Sequence, residues 1–482
     1  MDRSLSLQRC DKSRPHLRLG VAWILVSLCA CRGPAEERLE RDPILPAFPE
    51  SGRDSDLSRA LELDADSTQV LSAELLSLEQ LLDFAQGRNP GLAAKRQAAL
   101  SLEQAARASG AMPEPTVSWT EYFSEVETRV GPQERRFDVS QKLPWFGALE
   151  AKIDAADATA RAAKASIETH RRELGSRIES LLWKRSLYRQ SAELERERVT
   201  LFESISATID GRYRTGKAEY ADLLRSRSEI ERATELRDSA LDEVERADVL
   251  LRRELALPPG TQVPRVVLQV TGPNRFESVN ELIDAAMTSH PDLLRIGHLE
   301  EASKEKLNQV DYERKPDLTL GAFLIDTGLS DDPLMPNSGN DATGIKLSLT
   351  LPIRQGTYDA MERSARHEVR ALRNRREDLQ FAIQGQVASS LEDFLAAQRR
   401  RDLIAQSLLP RAQEVLDTTR AGYSSDRTTY LDLVNAGNSL VGLEIELLQA
   451  TVDREFARIA IELHLGRHLT HLPLDSIPKE QR

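Results

Sequence analysis

The chain has 482 residues, 29% of them charged and only 5% aromatic, with a formal net charge of −12. That length usually means two or three domains, yet a charged, aromatic-poor composition dominated by Ala, Leu, Glu and Arg suits long helices better than a large globular core. Residues 1–30 carry +3, which leaves −15 for the remainder, and so acidic a chain argues against nucleic acid as a partner.

In chain order, a basic stretch through Arg18 precedes the apolar run Leu19 to Ala30. About a dozen apolar residues cannot span a bilayer that needs about 20, so residues 1–30 read as a signal peptide rather than a membrane anchor. The three cysteines are Cys10, Cys29 and Cys31. Leu28-Cys29-Ala30-Cys31 resembles a bacterial lipobox in which Cys31 is acylated; Cys29 fits less well because the larger Leu28 precedes it. Cleavage before Cys31 would remove the other two cysteines and leave no pair for a disulfide. Arg32 follows, not Asp, which in lipoproteins of this pattern implies sorting to the outer membrane. Residues 31–76 are polar and Pro-containing and read as a lipid-anchored tether.

Beyond the tether one unit is written twice, at 77–260 and 277–466, with a linker at 261–276 and a tail at 467–482. Ser77-Leu78-Glu79-Gln80-Leu81-Leu82 meets Ser278-Val279-Asn280-Glu281-Leu282-Ile283 at a shift of 201, and Asn89-Pro90-x-Leu92 meets His290-Pro291-x-Leu293 at the same shift. Leu143-Pro144 meets Leu351-Pro352 at a shift of 208, and Tyr213, Tyr220, Asp222 and Leu223 meet Tyr423, Tyr430, Asp432 and Leu433 at 210. A constant order with a growing shift is what loop insertions produce.

Each unit has the same grammar. A short helix ends at Asn-Pro or His-Pro, and a second helix covers Leu92 to Met112 or Leu293 to Tyr312. Two strands follow. Ile345 to Leu351 alternates strictly and Leu318 to Leu324 nearly so, while Val117 to Thr120 and Phe137 to Ser140 alternate less cleanly. Turn-rich loops such as Asp331 to Asp341 lie between them, so each unit offers one β-hairpin. A long helical run then begins, from Ala148 to about Asp210 in the first unit, with Leu149, Ile153, Ala156, Ala160, Ala163, Ile167, Leu174, Ile178 and Leu181 near heptad spacing. Some 60 residues at 1.5 Å each make a rod of about 90 Å. Turns at Gly211 to Gly216 and Gly422 to Asp426 send each rod back as a helix ending near Leu257 or Leu465. The fold class is therefore mainly α, with long antiparallel coiled-coil hairpins and two β-hairpins per chain. Four strands cannot close a barrel, and a bilayer does not tolerate unpaired strand edges, so several chains must share one sheet.

The motifs Asn89-Pro90-x-Leu92, Pro113-x-Pro115, Leu143-Pro144-Trp145-Phe146-Gly147 and Arg212-Tyr213-x-x-Gly216-x-x-x-Tyr220-x-Asp222-Leu223-Leu224, with Gly422-Tyr423 through Asp432-Leu433 in the second half, resemble the TolC family of outer-membrane efflux proteins over roughly residues 77–466. The resemblance implies a homotrimer, a twelve-stranded membrane β-barrel and a long periplasmic α-barrel that docks to a periplasmic adaptor and an inner-membrane pump. With its lipobox the chain is similar to the lipidated branch that exports drugs or heavy metals. It implies an outer-membrane location, no cofactor and no enzymatic activity. It also implies a periplasmic gate closed by a tyrosine and aspartates near the helix tips. Tyr423 and Asp432 fall at the matching places, with Tyr213 and Asp222 as first-half counterparts and the Tyr423 hydroxyl as the expected bond. Asn435 stands where the family carries a second aspartate, and Asp426 where a turn Gly is common.

His464 and His468 sit one helical turn apart, with His471 beyond, but no Cys or acidic cluster joins them, so no metal site is assigned. Trp119, Tyr122, Trp145 and Phe146 flank the first hairpin as candidate membrane-interface anchors. No nucleophile–base pair or phosphate loop emerges, and the abundant acidic residues of the rods read as solvated faces. Two other functions fit less well: a pore-less periplasmic scaffold lipoprotein, and a type I protein-secretion duct of the same fold.

Overall fold

A computed structural model of the chain describes residues 76–270 and 278–466. The signal segment, Cys31, the tether, His468 and His471 lie outside the described residues. The first unit opens with helix α1 (Leu78–Arg88), whose capping box pairs Ser77 with Gln80. Helix α2 (Pro90–Ser109) follows at once, because the Asn89 side chain accepts from Leu92 N at 3.0 Å and Pro90 occupies the first helical position. The second unit repeats this with α5 (Val279–Ser289) and α6 (Pro291–Glu313), where His290 Nδ1 accepts from Asp292 N at 3.2 Å. The Asn-Pro and His-Pro pairs are thus cap-plus-proline signals, and each ends one helix while starting the next.

Strands β1 (Thr116–Val126) and β2 (Gln133–Leu143) pair antiparallel, as do β3 (Asp317–Thr327) and β4 (Ala342–Thr350). The two pairs join through β2 and β3 into one sheet of order β1-β2-β3-β4. β1 runs well past Thr120, the limit suggested by its weak alternation, because β2 pairs with it out to a register break between Glu121 and Val126. The motif Leu143 to Gly147 turns the chain from sheet to rod. Gly147 adopts φ 88°, and a Cβ there would lie 2.7 Å from the Tyr312 hydroxyl, so only glycine fits.

From Gly147 helix α3 runs Ala148–Arg214, 67 residues or about 100 Å, and α4 (Tyr220–Glu254) returns along it. In the second unit α7 (Gln355–Leu403), a π-helical turn (Ile404–Leu408) and α8 (Leu409–Ser424) form the outgoing rod, and α9 (Tyr430–Leu465) returns. Both outgoing rods run past the sequence-derived ends at Asp210 and Gly422, because hairpin packing overrides the weak helix propensity of Gly211 and Gly422. The π turn was not legible; Pro410 lacks the N–H that would bond Gln406, and the wider turn absorbs that break. α3 packs against α2, α4, α6 and α9, so the second unit lies against the first along much of its length.

Two further expectations are corrected. The buried alanine stripe of α3 is Ala151, Ala155, Ala158 and Ala162 with Ala160, while Ala156 and Ala163 are only half-buried and Ile153 is exposed. Nor are all rod charges solvated: Glu179, Arg454, Glu455 and Arg458 are buried. Arg458 pairs with Glu179 of α3, with Glu455 at 2.7 Å and with Glu462 at 3.0 Å. Arg454 pairs with Glu455, donates to Gln398 Oε1 at 2.6 Å and lies over the Phe394 ring at 4.7 Å. The cluster ties α3, α7 and α9 together; burial raises the Glu179 carboxyl, and burial lowers Arg458 but the carboxylates of Glu179, Glu462 and Glu455 outweigh it and raise the guanidinium. Among the described residues no helix is long and apolar enough to cross a membrane.

Candidate functional site

The two helical hairpins end side by side. Phe202, Ile205 and Ile209 of α3 and Leu223 of α4 share one buried core with Leu416 of α8 and Tyr423, Tyr430 and Leu433. Burying these side chains welds the tip of the first unit to that of the second. The turns span residues 215–219 and 425–429, and each contains one left-handed residue, Gly216 at φ 74° and Asp426 at φ 57°. The glycine departure at Asp426 has a physical counterpart: its carboxylate forms an ion pair with Arg212 of α3.

Arg212 is the residue that organises this end of the molecule. Its Nη1 donates to the Tyr423 carbonyl at 2.8 Å, and its guanidinium stacks over the Tyr423 ring, 4.7 Å from the centroid. Tyr423 is buried, and burial raises its phenol above the ordinary value. Within the chain Tyr423 is therefore held by its ring and carbonyl; its hydroxyl has no hydrogen-bond partner among the described residues.

The other predicted gate residues divide. Tyr213 is exposed and packs against exposed Tyr220 with ring centroids 5.7 Å apart, away from Tyr423. Asp222 bonds Arg225 at 3.2 Å and lies within electrostatic reach of Tyr423 and Tyr430. Asp432 is exposed and caps α9: its carboxylate accepts from Thr429 N at 3.0 Å and from the Thr429 hydroxyl at 2.6 Å. That hydroxyl bond, followed by the backbone bond, holds the Asp432 carboxyl below its ordinary value, so the charge persists. Sequence reasoning passed over Arg212 and Tyr430. Tyr430 is buried with its hydroxyl unpartnered, and burial first, then Glu229 and Asp222, push its phenol up to about 12. No group of three or more metal-ligating side chains occurs among the described residues.

At the opposite end the sheet has two unlike faces. Register places Val117, Val139, Ala322 and Ile345 in one row, with Trp119, Phe137 and Leu324 in the next row on that face and Leu320 and Leu347 in the row on the other side. These rows are apolar except for Gln141 and Thr343, and they are largely bare: Val117 is 69% exposed and Ile345 80%. Trp119 stacks on Phe137 at 6.2 Å. The alternate rows carry Thr116, Ser118, Thr120, Arg136, Asp138, Ser140, Lys142, Lys346 and Ser348. Trp145 and the exposed Phe146 sit where the sheet gives way to α3, with Lys315 Nζ 5.7 Å above the Trp145 ring.

With this geometry in hand, the comparisons are specific. The sequence model of the outer membrane efflux protein family matches residues 282–467. No curated protein matches the chain by sequence. Among solved structures the chain is similar to the outer-membrane channel OprN (16% identity, 81% of this chain and 90% of that one, TM-score 0.69). It is also similar to the outer membrane protein VceC of Vibrio cholerae (18% identity, 81% and 96%, TM-score 0.67) and to the open state of the MtrE outer membrane channel of Neisseria gonorrhoeae (17% identity, 81% and 89%, TM-score 0.64). The second half of the chain, residues 282–467, thus matches the outer membrane efflux protein family by sequence, and the chain as a whole shares the fold of these outer-membrane channels.

Proposed function

We propose that the chain is one subunit of a trimeric outer-membrane duct, the passive exit of a tripartite efflux system served by a periplasmic adaptor and an inner-membrane pump. The observation that carries this reading is the open sheet. Among the described residues strands β1 and β4 have no outer neighbour, and the rows of one face from Val117 to Leu347 are mostly apolar and largely exposed. Such a face belongs in hydrocarbon, and hydrocarbon does not tolerate unpaired edges, so further copies must close the sheet. Three copies give twelve strands with the polar rows inward, and the hairpins then extend about 100 Å into the periplasm. The two units, 77–260 and 277–466, each supply one hairpin of strands and one of helices. Export needs no chemistry on the permeant, which fits a non-enzymatic duct.

In this reading Cys31 carries lipid that holds the N-terminus at the outer membrane, and the helix tips form the periplasmic gate. Tyr423 and Arg212 are the tie between hairpins and Asp432 an acidic entrance, with Asp222 and Tyr213 in lesser roles. The test is oligomeric state and conductance. Full-length protein in mild detergent should run as a trimer by light scattering and conduct in planar bilayers, and a stable monomer would refute the barrel. A non-conducting oligomer would favour the scaffold reading. Mass spectrometry should find acylated Cys31 at the mature N-terminus, and an unmodified N-terminus upstream would exclude it.

A further inference from the structure

If the apolar rows face lipid, the polar rows line the lumen, and their charges are few. Most residues on that face are small: Thr116, Ser118, Thr120, Ser140, Gly321 and Gly344. The charged side chains therefore rise above their neighbours. Lys142 is neutralised by Asp317 at 2.6 Å. Arg136 grips Asp138 with two hydrogen bonds of 2.8 Å and lies over the Phe323 ring at 4.6 Å. Lys346 stands opposite Gly321, exposed, with no carboxylate within ion-pair distance among the described residues. Asp138 lies within its electrostatic reach, but Arg136 already occupies that carboxylate in the fork geometry that binds it most firmly. Arg136, Asp138 and Lys346 border one open pocket of about 380 Å³ with Ser118, Thr120 and Tyr122.

The neighbour that closes the barrel does not cancel this charge. β4 is an edge strand, and the strand that completes it is β1 of the next copy, whose polar rows hold Thr116, Ser118 and Thr120 and no acid. Each copy thus contributes one uncompensated positive charge to the same level of the lumen. A ring of fixed charge in a narrow pore selects permeants by sign. At the other end of the molecule Asp432 is exposed, and its carboxylate bonds only Thr429.

We propose that Lys346, with the Arg136–Asp138 pair beside it, makes the barrel an anion-preferring segment of the duct, one that favours carboxylate- or phosphate-bearing permeants at the exit. The inference rests on the duct reading above. Three unit charges on the order of 10 Å from the axis, in water and screened over about 10 Å at 0.1 M salt, change the anion-to-cation permeability ratio about twofold.

The test is the reversal potential of the full-length oligomer in planar bilayers under a KCl gradient near 0.1 M. Lys346→Gln should lower the anion-to-cation ratio about twofold. Asp138→Asn, which leaves Arg136 uncompensated, should raise it by a similar factor, and both shifts should collapse near 1 M salt. Opposite shifts from two substitutions on one face are not a signature of general misfolding. A conducting channel whose selectivity neither variant moves, or which both move the same way, overturns the inference and leaves the duct standing. A wild-type oligomer that does not conduct overturns the duct reading and the inference with it.

Discussion

Replacing Arg212 by Met isolates the contact that joins the two helix tips. Methionine keeps most of the packed stem and removes only the guanidinium. Three contacts are lost. The hydrogen bond to the Tyr423 carbonyl at 2.8 Å has a charged donor and is worth about 1.5–3 kcal/mol. The stacking over the Tyr423 ring adds about 0.5–1 kcal/mol. The ion pair with Asp426 adds less than about 1 kcal/mol, because that side chain is 62% exposed. These terms share one side chain and do not add fully, so the tip should lose about 2–3 kcal/mol, or about 30- to 150-fold in its opening equilibrium. Native-state hydrogen exchange reads that equilibrium directly. Amides from Gly422 to Leu433 should exchange faster by that factor, while those of the core formed by Leu174, Ile178 and Leu251 should not change. Asp426→Gly is the control: it loses the weak pair but relieves a left-handed backbone at φ 57°, so it should lie within about 0.5 kcal/mol of wild type. Unchanged exchange at the tip in Arg212→Met would show that the shared apolar core alone holds the tips together.

At Asp432 charge and capping can be separated: Asp432→Asn should keep an α9 cap while weakening cation preference in bilayers, whereas Asp432→Ala should also cost about 1 kcal/mol in thermal unfolding. For His290, burial first holds the imidazole below its ordinary value of 6.5, with His464 and Arg172 acting in the same sense and Asp292 opposing. The neutral ring also caps α6 through Nδ1. Its stabilisation is therefore complete above 6.5 and is lost as pH falls below that value, so His290→Asn, which copies Asn89 of the first unit, should flatten the fall in Tm between about pH 7.5 and 5.5. An unchanged Tm–pH slope would count against it. Arg458→Met strands buried Glu179 without its cation, leaves Glu455 with Arg454 alone, and should cost about 3–5 kcal/mol by denaturant unfolding, with partial recovery when Glu179→Gln is added.

Much of this architecture is legible in the sequence because its signals are local. Ser77, Asn89, Ser278 and His290 are caps set by side-chain chemistry within three residues, and Pro90 and Pro291 fix the helix starts. The period of 2 from Ile345 to Leu349 reflects a face that must be apolar whatever its neighbours. The features that escaped are those set by packing between distant segments. The phase of the α3 alanines follows from α2 and α6, which a heptad count along α3 does not see. The Glu179–Arg458 contact joins residues 279 positions apart, so each reads alone as an ordinary solvated charge.

The helix tips show why comparing the two units both finds and hides contacts. Comparing the two units pairs Tyr213 with Tyr423 and Tyr220 with Tyr430, which suggests equal roles. In the structure the pairs differ: Tyr423 and Tyr430 are buried in the shared tip, while Tyr213 and Tyr220 stack outside it. The difference traces to one position. Where the first unit has Arg212 the second has Gly422, and a Cβ at Gly422 would lie 2.7 Å from the Thr428 side chain. The second tip can therefore fold tightly on itself and present its tyrosine and carbonyl outward. The first tip supplies the long cation that reaches across to them. A repeat comparison scores Arg212 against Gly422 as a mismatch and passes over it, although this mismatch is the contact by which one tip holds the other. In this chain the residues that the copies share, such as Leu223 and Leu433, build the common core of the tips, and the position where they differ most in size and charge, Arg212 against Gly422, adds the polar grip of one copy on the other.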